Sequence, residues 1–85
     1  MQKNRNHFDI IATLLETTRN GALLYHILKQ ANLSFRQFRR YADTLVKMGF
    51  LKVETTKGRR LYKASERGLE YLTNYYSLRK IYQRI

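Results

Sequence analysis

The sequence predicts a mainly α-helical domain that closes on one β-hairpin and continues into a long terminal helix. Three observations carry this. Apolar residues recur at helical spacing through three segments before Gly49. One stretch, Phe50 to Thr56, alternates apolar and polar residues instead, and a last helical pattern runs from Leu69 to the end of the chain.

The first helix starts at Asn6, an N-cap residue with Asp9 in the following turn, and runs to about Thr17. Phe8, Ile11, Ala12 and Leu15 form its core stripe, while Ile10 and Leu14 add a second strip that a helix facing one neighbour would not need. Asn20-Gly21 is a turn signal, and the second helix, about Ala22 to Gln30, presents Leu23, Leu24, Ile27, Leu28 and Ala31 inward. After Asn32-Leu33 comes Ser34, which can accept from the amide three residues on while Gln37 reaches back to the Ser34 amide. The helix begun there runs to Met48 and stops at Gly49, where a left-handed residue would sit. At about 100° per residue, Phe35, Phe38, Ala42, Leu45 and Val46 share one arc, and Arg36, Arg39, Arg40, Asp43 and Lys47 share the other.

In the strand 50–56, Leu51, Val53 and Thr55 alternate with Lys52 and Glu54. Lys57-Gly58 makes the turn, and residues 59–64 return with Tyr62 and Ala64 facing the core. Ser65 caps the last helix, and Glu66 occupies its first turn. From Glu66 to Ile85 this helix would be roughly 30 Å long. Leu69, Leu72 and Tyr76 form one row. Tyr71, Tyr75, Leu78, Tyr82 and Ile85, with Ile81 beside them, form a second at the 4–3 spacing of a coiled-coil seam. That seam can fold back on Ile10 and Leu14 or pair with the same helix of a second chain. A homodimer is the favoured expectation, because the seam runs to the last residue. Residues 6–64 thus read as one domain and 65–85 as a helix that packs on it and then leaves it.

Two helices joined by a short turn, the second capped and basic, form a helix-turn-helix, and a hairpin after it is a wing. Seventeen Lys and Arg against six Asp and Glu give a net charge of +11 over 85 residues, which points to a polyanionic partner. A chain this short buries only about 60% of its unfolded surface and, with no cysteine, has no disulfide to reinforce it. Self-association would add the missing burial. No apolar run approaches the roughly 18 residues of a membrane span, and the polar stretch Met1 to Asn6 is not a signal peptide, so the expected place is the cytoplasm, on the nucleoid. With two histidines in no metal or triad spacing, and no phosphate-binding glycine loop, neither an enzyme, a metal nor a cofactor is expected.

Ala31 to Phe38, Leu45 to Leu51 and Tyr62 to Gly68 together resemble the archaeal ArnR-like winged helix-turn-helix family. The resemblance covers about Phe8 to Leu78. It implies a double-stranded DNA partner, a role in transcription regulation or chromatin, and dimerisation by an antiparallel coiled coil of the last helices. In that reading Arg36, Gln37 and Arg40 face base edges, since the arginine fork matches guanine and Gln can pair with adenine. Ser34, Arg39, Tyr41, Thr44 and Lys47, with Lys57, Arg59 and Arg60 of the wing, are placed for phosphates. The rival reading is a winged-helix module that binds proteins and not DNA.

Overall fold

The computed structural model describes residues 6–83. Helix α1 (His7–Thr17) is followed by a two-residue strand β1 (Ala22–Leu23), helices α2 (Leu24–Ala31) and α3 (Phe35–Lys47), the hairpin β2 (Leu51–Thr56) and β3 (Arg59–Ala64), and helix α4 (Glu66–Gln83). The strands form one antiparallel sheet in the order β1-β3-β2. This is the mainly α fold with a hairpin wing and a long last helix that the sequence predicts.

Local signals set most of the boundaries. Asn6 accepts from the Asp9 amide at 2.8 Å and starts α1. The reciprocal pair at the start of α3 is complete, with Gln37 N–H donating to Ser34 Oγ at 3.1 Å and Ser34 N–H donating to Gln37 Oε1 at 3.0 Å. At its other end Gly49 has φ +80, its N–H donates to Val46, and the Phe50 N–H donates to Leu45, so the last carbonyls of α3 are satisfied by a Schellman turn. Lys57 and Gly58 both have positive φ, as a two-residue hairpin loop joining Thr56 to Arg59 requires.

One boundary differs from expectation. Ala22 and Leu23, read as the first residues of α2, instead pair with Tyr62 and Leu61 of β3, and α2 begins at Leu24, two residues later than expected. The Thr18 carbonyl accepts from both Gly21 and Ala64 at 3.0 Å, which holds the end of α1 against the end of β3 and delivers Ala22 to the sheet edge.

The core comprises Leu14, Leu15, Ile27, Leu45 and Leu72, all fully buried, with Phe38 set edge-on to Tyr62 at 5.1 Å between ring centroids. Helix α1 packs against α2, α4 and β3, and this explains its two apolar strips: Leu14 enters the core of its own chain and Ile10 packs against it. Three residues assigned to core-facing arcs lie outside the core. Phe8 at the free end of α1, and Phe35 and Val46 at one edge of the α3 arc, are each more than 40% exposed. The hairpin, too, is covered mainly toward its root, where Leu51, Tyr62 and Ala64 are buried and Leu61 is half-buried, whereas Val53 and residues 54–60 are exposed.

A candidate nucleic-acid interface

Helix α3 presents its cations in a continuous sector. Starting from the exposed edge at Phe35 and Val46, Arg39, Asp43, Arg36, Lys47 and Arg40 follow within about 100° of arc. All five are exposed. Among the described residues the one ion pair is Arg19–Glu16, at 3.0 Å between exposed side chains, so none of the α3 cations is in an ion pair there. Thr44 and Gln37 lie beyond this sector on the side away from the hairpin, and there they are engaged: Thr44 Oγ1 donates to the Arg40 carbonyl, and Gln37 Oε1 holds the helix cap. A Gln that reads adenine uses both its oxygen and its nitrogen, so Gln37 can cap α3 or read a base in that way, not both at once. Ser34 is committed to the same cap. Tyr41 is half-buried and its hydroxyl hydrogen-bonds His7 Nδ1 at 2.6 Å, tying α3 to the start of α1.

The cations of the hairpin divide between two faces. Register puts Thr55 and Arg60 beside Val53 and Tyr62 on the face toward α3, and Thr56 and Arg59 beside Leu61 on the other. Arg60 therefore borders a groove with α3, while Lys57 and Arg59 border a shallow cleft floored by Leu23 and Leu61 on the opposite face. The α3 groove has an apolar floor, Phe35, Phe38, Ala42, Val46, Val53 and Tyr62, and a rim of Arg39, Lys47, Arg60 and the single carboxylate of Asp43. Neither the exposed apolar floor nor the His7–Tyr41 link was read from the sequence. The sequence marks the apolar arc of α3, at about 100° the ordinary width of a core-facing stripe, but not how much of it a neighbour covers.

The tyrosine row of α4 is shared. Tyr71 donates to the Phe8 carbonyl at 3.1 Å and Tyr75 to Asp9 Oδ1 at 2.5 Å, both within the chain and both half-buried against α1. From the other apolar row, Tyr76 donates to Glu16 Oε1 at 3.1 Å. Farther on, Leu78, Ile81 and Tyr82 are each more than 60% exposed, and Ile85 lies outside the described residues.

Burial first, then the neighbouring carboxylates, holds the hydroxyls of Tyr71, Tyr75 and Tyr76 above the ordinary tyrosine range; at Tyr71 the Tyr75 charge precedes that of Asp9. A folded-state value above the unfolded one means that the stabilisation is complete below pH about 10 and is lost as pH rises through the folded value. Thermal unfolding followed at intervals above pH 9 should show this loss in the native chain and a smaller one in Tyr75→Phe. Equal losses would mean that Tyr75 is as easily ionised folded as unfolded.

Among the described residues no helix is long and apolar enough to cross a membrane, and no group of three or more His, Cys, Asp and Glu is placed to hold a metal ion. No curated protein matches the sequence. Among solved structures, Sso10a-2, a DNA-binding protein from Sulfolobus solfataricus, shares the fold with a TM-score of 0.86 at 24% identity, over 94% of this chain and 84% of that one. F-93 of SSV1 aligns with a TM-score of 0.71 at 17% identity, over 99% and 98%. At these identities the likeness shows the fold. The model of a family described as winged helix-turn-helix matches residues 4–83, nearly the whole length, and the chain belongs to that family.

Proposed function

We propose that the chain is a double-stranded DNA-binding protein of the ArnR-like kind, acting as a homodimer in transcription regulation or chromosome organisation. The observation that carries this reading is the sector of α3 from Arg39 to Arg40, exposed, with four cations to the one carboxylate of Asp43 and no ion pair among the described residues, and with Arg60 of the wing across the groove from it. Such a surface is poor core for a protein interface and well suited to phosphates. The α3 sector enters the major groove, with Arg36 and Arg40 toward base edges and Arg39, Lys47 and Arg60 toward backbone. Lys57 and Arg59, on the far face of the hairpin, reach a more distant phosphate. The DNA-binding description of Sso10a-2, which has this fold, agrees with the reading.

The dimer rests on Leu78, Ile81 and Tyr82, which the described residues leave 61–79% exposed. Their 3–4 spacing continues from Tyr75 as a seam, and a second copy of α4 would bury it. Solution mass with and without a duplex of about 20 base pairs tests both parts. The expected species are a dimer alone and a dimer on DNA, and Leu78→Asp with Ile81→Asp should return the monomer mass. A monomer that ignores the duplex would sink the proposal.

A further inference from the structure

The groove between α3 and the hairpin combines two properties that a surface serving phosphates alone would not need together. Its rim carries three cations against one carboxylate, while Phe35, Val46 and Val53 in its floor remain 52%, 42% and 41% exposed. These side chains come from both walls, Phe35 and Val46 from α3 and Val53 from β2, and each is only partly covered by the described residues. Charge decides what can cover them. The exposed end of α4 of a second copy carries Arg79 and Lys80 and would be repelled by Arg39, Lys47 and Arg60. The occupant must be anionic at its edges and apolar between them. A DNA strand meets that description along its length, with phosphates separated by the carbon faces of deoxyribose.

We propose that Phe35, Val46 and Val53 are apolar DNA contacts, gripping the sugar edges of one strand that lies in the groove while the rim cations take its phosphates. The proposal rests on the DNA-binding reading above and adds to it a component of affinity that salt does not screen. Counterion release sets the slope of log K against log salt concentration and depends on the number of phosphates neutralised, whereas apolar contact shifts the line without tilting it.

The test is a salt titration of duplex binding by the intact protein and by the triple variant Phe35→Ser, Val46→Thr, Val53→Thr. Both Val→Thr changes keep the β-branched shape, and all three positions are outside the core, so thermal unfolding should be nearly unchanged and serves as the control for folding. The expected result is two parallel lines, the variant weaker by about tenfold or more at every salt concentration. Coincident lines would overturn the proposal while leaving DNA binding intact, and would assign the floor to another occupant, an acidic amphipathic helix being the one its charge admits. A reduced slope would also overturn it, since these side chains would then act by displacing the cations. Failure of the unaltered protein to bind duplex at any salt would refute the DNA-binding reading itself.

Discussion

Arg36→Ala combined with Arg40→Ala should reduce discrimination between a preferred duplex and random DNA by about a hundredfold, each bidentate contact to guanine being worth about 1–3 kcal/mol. The two residues are one turn apart on the half of the α3 sector away from the hairpin, and Arg36 lies in the first turn of α3, the part of a recognition helix that reaches base edges. The preferred duplex is obtained by selection from a random library, and competition binding supplies the ratio. Affinity for random DNA should fall less, because Arg39, Lys47, Arg60 and the far side of the wing still hold phosphates. Equal losses on both duplexes would show that Arg36 and Arg40 serve the backbone only.

The second large effect is on stability. Gly68 lies in the first turn of α4, and a Cβ there would overlap the Phe50 carbonyl oxygen and press on Leu15. Neither can give easily. The Phe50 carbonyl accepts from the Ser65 N–H at 3.0 Å, Ser65 Oγ donates to the Gly49 carbonyl and accepts from the Gly68 N–H at 3.1 Å, and Leu15 is fully buried. Gly68→Ala should therefore lose about 2–3 kcal/mol, overpacking exceeding the roughly 1 kcal/mol that Ala gains over Gly in a helix. In a domain of this size that lowers Tm by about 10–20 °C. Gly58→Ala, whose Cβ would meet nothing, should lose only the modest cost of its positive φ. If the two variants melt together, the close approach at Gly68 is not what holds α4 to the hairpin.

How much of this could be read in advance follows the range of the signals. Ser34 with Gln37, Gly49, and Lys57-Gly58 are instructions written within a few residues, and each structure they predict is present. Strand β1 has no such instruction. Two residues acquire strand geometry because Thr18 and Leu61, the latter some 40 positions away, hold them at the sheet edge. Periodicity also over-assigned the core, as it shows which side of a helix is apolar but not how much of that side a neighbour covers. Phe8, Phe35 and Val46 are the result. The tyrosine row of α4 was legible as a seam, but its division was not, since Tyr71 and Tyr75 found Phe8 and Asp9 through contacts spanning more than 60 residues. For the α3 surface, the cationic sector was visible in the sequence. The double demand on Gln37 and the separation of Arg60 from Lys57 and Arg59 emerged only with the cap geometry and strand register in place.

The cluster of Gly49, Phe50, Ser65 and Gly68 has a mechanical meaning as well. It joins the end of α3, the root of the wing and the start of α4 at one point. Helix α4 has 18 residues and is therefore about 27 Å long. A tilt of about 10° at its base would displace its far end by about 5 Å, more than the rise of about 3.4 Å between neighbouring base pairs. In the proposed dimer that far end is where the two copies meet. A joint packed too closely to admit one methyl group is thus an angular reference, and its stiffness would set whether the paired helices accept one half-site separation or several.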